Sequence, residues 1–221
     1  MRRSVLLLLV ALTLFFATTV FADVILYMQP PTFDGTFYAS QNDSGGYGNF
    51  AQMYDNFKIY SHTDTYRLDD VEWFGGYWNG AGNSITGWTI SIYADAANTP
   101  GSALWSRYFP VSYPNYMESC FYPNSTCAYD VDLIAHGPYL HPNTQYWLSV
   151  LPDLAFPPQW GSGTGMMGDS LSYQYFFGSM SPVHADMALN IQGVPSPEPT
   201  TLLLVGGGVL GMAARLRRKM S

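Results

Sequence analysis

The chain has 221 residues, of which 48% are hydrophobic and only 11% are charged. Without its two termini, about 170 residues remain, enough for one domain with a hydrophobic core. All 16 acidic residues lie between Asp23 and Glu198, where only Lys58, Arg67 and Arg107 are cationic, so this part carries a net charge of −13. Such a charge argues against nucleic acid as a partner and repels anionic polysaccharide unless cations bridge the two. The alternative is an acidic surface that serves solubility alone.

The N-terminus predicts a secretory signal peptide over residues 1–22. A pair of arginines forms a basic n-region, residues 5–16 form an almost unbroken apolar core, and residues 20–22 supply the small side chains that signal peptidase needs. We expect cleavage before Asp23, with an uncleaved anchor as the alternative. In either case the rest of the chain is exported.

The body between the termini shows the alternation of an antiparallel all-β domain. Residues 85–94 are clearest, because Trp88, Ile90 and Ile92 alternate with polar residues and Tyr93. Residues 41–46, 61–65 and 98–101 have loop or turn chemistry. About nine strands are expected, over residues 24–28, 51–60, 66–74, 85–94, 103–109, 128–133, 145–151, 171–177 and 186–192.

The predicted core combines residues from two of these strands. Trp147 and Leu148 are adjacent, so they cannot both face the same side of a sheet. One of them must lie at a bulge or at a second interface. The residues predicted to contribute to the core are Trp88, Ile90, Ile92, Trp147, Leu148 and Val150.

Cys120 and Cys127 are the two cysteines of the chain. In an exported protein they predict a disulfide that closes a small loop, because the compartment is oxidising. Pro123-Asn124-Ser125 between them has turn chemistry. A metal site would need further ligands nearby, and the sequence offers none.

Four aromatic residues lie beside glycine-rich stretches and are candidates for carbohydrate contact. A solvent-facing ring at such a position can stack against a sugar ring, while the alternative is an aromatic lid that covers the core. The candidates are Trp73, Tyr77, Trp78 and Trp160.

Two groups of acids near strand ends are the candidates for calcium, which prefers hard oxygen ligands. They are Asp69, Asp70 and Glu72, and Asp130 with Asp132. No D-x-[DN]-x-[DN]-G loop accompanies them, which favours the alternative of solvated strand faces. We therefore expect no metal site and no cofactor.

Catalytic patterns are missing from the sequence. His62, His136, His141 and His184 lack metal-ligand spacing, and no nucleophile motif is present. The glycine-rich residues 161–165 have no lysine for a phosphate cradle. We expect no enzymatic activity and name no catalytic residue. Two carboxylates brought together in space would give the alternative, a secreted polysaccharide hydrolase.

Residues 194–221 have three parts in a fixed order. Pro197-Glu198-Pro199 comes first, an uncharged apolar segment follows over residues 200–214, and a basic tail closes the chain. A helix of about 15 residues covers roughly 22 Å of a bilayer core of about 30 Å, so it is a marginal transmembrane segment. The tail places its end on the cytoplasmic side, through Arg215, Arg217, Arg218 and Lys219.

This order of parts, together with the signal peptide, resembles the PEP-CTERM sorting signal of Gram-negative bacteria that make exopolysaccharide. The resemblance implies export across the inner membrane and a membrane-anchored precursor. It also implies an exosortase as partner, with processing near Pro197-Glu198-Pro199 and then release or attachment at the cell surface. The motif covers residues 194–221, which leaves residues 23–193 as the ectodomain.

Residues 85–95, 99–101, 144–150 and 186–190 resemble, in the same order, a β-sandwich body that recurs in exported proteins with this tail. That resemblance implies a single antiparallel sandwich, jelly-roll or Ig-like, and supports no activity. The function expected from the whole sequence is a structural or adhesive role in exopolysaccharide or biofilm. A carbohydrate-binding module is the alternative.

Overall fold

The computed structural model describes residues 23–60, 65–78, 85–120, 122–133 and 136–196. Within these ranges the protein is all-β, as the sequence predicts, with strands in two sheets and one short 3₁₀ turn at Pro123–Ser125. The signal peptide and residues 197–221 lie outside the described residues. No helix among the described residues is long and apolar enough to cross a bilayer.

The first sheet contains nine of the described strands, and its central strand pairs with four others. Its pairings are antiparallel. The strands are β1 (Val24–Gln29), β2 (Phe37–Ala39), β5 (Tyr66–Tyr77), β8 (Tyr116–Ser119), β9 (Thr126–Asp132), β10 (Tyr139–Leu140), β12 (Trp160–Gly165), β15 (Asp186–Met187) and β16 (Leu189–Pro195). The central strand is β5, which pairs with β9, β10, β12 and β16.

The second sheet contains the other seven strands. It is antiparallel except for one short parallel pairing at residues 42–43 and 153–154. The strands are β3 (Gln41–Asp43), β4 (Gly48–Lys58), β6 (Gly87–Asp95), β7 (Pro100–Pro110), β11 (Gln145–Leu154), β13 (Ser172–Phe176) and β14 (Ser179–Val183).

Side chains from both sheets share one hydrophobic core. Trp88 of β6 lies at its centre, with its ring 4.8 Å from that of Trp73, 5.1 Å from that of Trp160 and 4.6 Å from that of Tyr129. These three neighbours all belong to the first sheet, and Trp160 Nε1 donates a hydrogen bond to the Tyr129 hydroxyl over 3.2 Å. The inter-sheet core is therefore aromatic at its centre.

The predicted core residues are all buried, but they divide between two faces. Leu148 and Val150 join Trp88, Ile90 and Ile92 in the shared core. Trp147 faces the other side of β11, where its ring lies 5.5 Å from that of Tyr173 and its Nε1 donates to Asp95 Oδ1 over 2.9 Å. Of the two alternatives, the structure shows the second interface.

Several strands are absent from the sequence-based prediction. Residues 41–43, predicted as loop, form β3 because Asn42 and Asp43 pair with the end of β11. The glycine-rich residues 161–165, which no predicted strand includes, lie in β12. Both errors have the same cause, since these segments pair through backbone groups and lack the apolar alternation by which a strand is recognised. The missed strands are β2, β3, β8, β10, β12 and β14.

The predicted disulfide between Cys120 and Cys127 is present and links the segment after β8 to the start of β9. We expect the exported protein to show no free thiol before reduction. Because the closed loop is short, reduction should lower the free energy of unfolding by about 2–3 kcal/mol in the chain-entropy treatment. Alkylation followed by intact-mass measurement, with and without reductant, checks the first expectation, and urea unfolding checks the second. Two alkylated cysteines in unreduced exported protein would contradict it.

Candidate functional site

The described chain ends at one end of the first sheet, which we call the tail end. Val194 and Pro195 are still paired in β16, opposite Arg67 and Tyr66. The Ser196 N–H then donates to the Thr65 carbonyl over 2.8 Å. The motif Pro197-Glu198-Pro199, the apolar segment 200–214 and the cations Arg215, Arg217, Arg218 and Lys219 follow outside the described residues. The motif therefore begins directly after the last residue that the structure describes, Ser196.

Trp73 and Trp160 are core residues and offer no platform to a sugar. Trp73 is 3% exposed and Trp160 is fully buried, which corrects the expectation of solvent-facing rings. The reason is the glycines beside them. A Cβ on Gly75 would overlap with Cζ2 of Trp160, so the indole packs directly on the backbone of β5. The glycine-rich stretch makes room for a buried ring.

Trp78 and Tyr77 lie at the end of β5. Trp78 is 44% exposed, and its ring covers Gly161 and meets the Phe37 ring edge-on at 6.2 Å. Tyr77 is half-buried, and burial, with a smaller contribution from Glu118, raises the pKa of its hydroxyl to about 12. Among the four predicted contacts, Trp78 has the most accessible ring.

Four of the five candidate calcium ligands share one face of the first sheet. Strand register places Asp70 opposite Asp132 and Glu72 opposite Asp130. Burial, followed by repulsion from Asp130, Asp132 and Glu72, raises the pKa of Asp70 to about 8. Burial and Glu72 raise that of Asp130 to about 6. Burial, and then the like charges close by, thus favour the protonated forms of Asp70 and Asp130.

These acids do not converge as metal ligands do. Among the described residues, the one group of three His, Cys, Asp or Glu side chains with ligand atoms close enough to hold an ion is Glu118 with Cys120 and Cys127. Both sulfur atoms of that group are already used in the disulfide. The fifth acid, Asp69, pairs instead with Arg67 Nη2 at 2.9 Å.

An aromatic cleft that the sequence did not predict lies at the N-terminal end of β4. Its volume is about 240 Å³, and β4, the loop after β11 and the β13–β14 turn build it. The nearest sequence signal was the Phe176-Phe177-Gly178 turn, in which two large apolar residues stand where a hairpin would usually be polar. The cleft is lined by Tyr47, Phe50, Phe156, Gln159, Phe176 and Phe177.

Comparison with known proteins informs the C-terminal segment alone. The family model described as the PEP-CTERM protein-sorting motif matches residues 197–219. No curated protein and no solved structure matches the chain. The resemblance stated for the tail is thus confirmed, while the folded body has no characterised counterpart in these comparisons.

Proposed function

We propose that this PEP-CTERM sorting domain-containing protein acts, through its folded body, as a structural or adhesive component of exopolysaccharide outside a Gram-negative cell. Its C-terminal motif is the signal of an exported exosortase substrate. Signal peptidase would act at the N-terminus, and the inner membrane would hold the precursor until processing. The body would work by binding, without catalysis and without a cofactor.

The carrying observation is the match of the PEP-CTERM family model to a segment that directly follows the last described strand, β16. The last described residue is Ser196, and the family match begins at residue 197. Cleavage within Pro197-Glu198-Pro199 would therefore release a body in which all the described strands remain intact. Proline on both sides of Glu198 favours the extended chain that a protease requires.

The two sheets support the finer fold assignment. Trp88 of one sheet contacts Trp73, Tyr129 and Trp160 of the other, which is the relation expected of facing layers. We assign the body to the β-sandwich class, jelly-roll or Ig-like. Such a scaffold is suited to presenting surfaces and loops in a matrix, and it supports no activity by itself.

Processing is tested with two tags on one chain. The structure rules out a tag before Val194, because that position lies inside β16. One tag therefore goes between Asp23 and Val24, and the other goes after Ser221. In a strain that contains the exosortase, we expect the first tag on the surface or in the medium and the second tag in the membrane. Without the exosortase, both should remain on one membrane-bound molecule.

Substitution of Pro197, Glu198 and Pro199 by alanine should leave export intact and retain the full-length form in the membrane. The matched control replaces Thr200 and Thr201 by alanine, which keeps the motif and the uncharged segment, and should be processed as the unchanged chain is. If both tags stay together whether or not the exosortase is present, the tail is a plain anchor and the proposal fails.

A further inference from the structure

The aromatic cleft is a hydrophobic surface that the fold leaves open to solvent. Phe50 is its buried centre at 5% exposure, and Tyr47 and Phe177 are 66% and 59% exposed. The Phe50 ring lies 5.2 Å from Phe177, 6.1 Å from Phe156 and 6.2 Å from Tyr47. Contiguous exposed rings of this kind mark an interaction site more often than an inert surface.

The cleft lies at the far end of the body from the tail. At the tail end, Thr65 contacts His141. Two residues further on, the Asn143 N–H donates to the carbonyl of Ile59, the residue after β4, so the C-terminal end of β4 also lies at the tail end. The cleft adjoins the first residues of β4, which has 11 residues. At about 3.3 Å per residue, the strand separates the two ends by roughly 35 Å. In an anchored precursor the cleft therefore lies roughly 35 Å from the end of β16, after which the apolar segment follows in the sequence, and this distance argues against both lipid and that segment as its occupant.

The loops around the cleft are held in place before any ligand arrives. Asp43, which is 4% exposed, accepts hydrogen bonds from the Gly45 and Phe156 N–H groups at Oδ1, over 2.7 and 2.8 Å, and from the Tyr47 N–H at Oδ2 over 2.8 Å. Burial acts to raise the pKa of this carboxyl, but the backbone hydrogen bonds outweigh it and lower the pKa. One carboxylate thus fixes two aromatic positions, which reduces the entropy cost of binding.

The chemistry of the lining selects the ligand. Five of its six residues are aromatic, none is charged, and the sixth is Gln159. Among the described residues, the Gln159 main-chain carbonyl accepts a hydrogen bond from the Trp78 N–H over 3.1 Å, while the side-chain amide of Gln159 has no hydrogen-bond partner. Ring faces suit the C–H surface of a sugar, and an amide suits its hydroxyls. An uncharged lining on a body of net charge −13 disfavours an anionic polymer.

We propose that the aromatic cleft binds a neutral polysaccharide, with sugar rings stacked on Tyr47 and Phe177 and a hydroxyl held by Gln159. This proposal names the class of ligand for the proposed adhesive function, and the choice of a polysaccharide as ligand rests on that function. It replaces Trp73 and Trp160 as the carbohydrate contact.

The test uses the full chain in lipid nanodiscs, with soluble hydroxyethyl cellulose and dextran as neutral probes and alginate as the anionic one. We expect at least one neutral polymer to bind more tightly than alginate. The double variant Tyr47→Ala/Phe177→Ala should raise its Kd about tenfold or more. Gln159→Ala, which leaves the rings in place, should raise the Kd about fivefold.

The control is Tyr60→Ala/Tyr139→Ala, which removes two rings outside the cleft that are comparably exposed, at 78% and 57%. It should bind as the unchanged chain does. Binding that is lost with Trp78→Ala but kept in the cleft variants overturns the proposal, as does tighter binding of alginate. If neither neutral polymer binds, the proposal is also overturned. If, in addition, the cleft variant abolishes self-association of the protein, the occupant of the cleft is a second copy of the chain. None of these results depends on the exosortase, so the sorting proposal stands or falls separately.

Discussion

Trp88→Ala should lower the free energy of unfolding by about 3–5 kcal/mol, the largest effect that we expect from one substitution. Trp88 is fully buried, and its ring contacts Trp73, Tyr129 and Trp160 of the facing sheet. Truncation removes a large apolar area and leaves a cavity between the sheets. Collapse of the cavity is limited because the three surrounding rings are themselves held by the backbone of β5, β9 and β12.

Urea unfolding of the exported protein, followed by circular dichroism, measures the loss. The matched control is Trp78→Ala, which removes the same side chain from a position that is 44% exposed. We expect the control to cost about 1 kcal/mol or less. Equal losses at the two positions would mean that the sheets do not meet around Trp88.

The residues around Trp88 also show what local sequence pattern can predict. Strict alternation over residues 85–94 indicated both the strand and its buried face, because side chains of a strand point alternately to its two sides. The same rule required Trp147 and Leu148 to separate, and the structure places them on opposite faces of β11. The disulfide was predicted for a different reason, namely that two cysteines in one exported chain have few alternatives.

The glycine-rich segments were misinterpreted because a glycine in a strand can mean close approach of another group as well as a loop. Gly75 and Gly161 permit Trp160 and Trp78 to lie on opposite faces of neighbouring strands. Their effect depends on pairing between residues about 85 positions apart, at Trp160–Tyr77 and Gly161–Gly76. A period-two pattern contains no information about such a partner.

The aromatic cleft was out of reach for the same physical reason. Its six residues come from three separate parts of the chain, of which two were assigned to no predicted element and the third, residues 176–177, to the end of a predicted strand. Asp43 brings two of them together through hydrogen bonds to backbone N–H groups, at Tyr47 and at Phe156. Every residue except proline has a backbone N–H, so the sequence does not show which of them Asp43 binds.

On the acidic face of β5 and β9, we expect the effect of Asp70→Asn on the free energy of unfolding to depend on pH. Asp70 has a pKa of about 8 in the folded protein, against 3.8 for the unperturbed group, because of burial and of the acids Asp130, Asp132 and Glu72. Between pH 4 and 8 the folded state therefore binds more protons than the unfolded state, and stability falls as the pH rises. Asparagine cannot ionise, so the substitution removes this loss.

We expect Asp70→Asn to leave stability unchanged near pH 4 and to raise the free energy of unfolding by about 2–3 kcal/mol at pH 8. One pKa unit is worth about 1.4 kcal/mol, and solvent screening at this partly exposed group takes roughly half of the total. Urea unfolding at a series of pH values measures the difference. Asp69→Asn is the control, because that carboxyl pairs with Arg67 at the surface, and its loss should cost about 1 kcal/mol or less. A variant that is no more stable than the unchanged protein at pH 8, or equally stabilised at pH 4, would show that the folded state does not raise the pKa of Asp70.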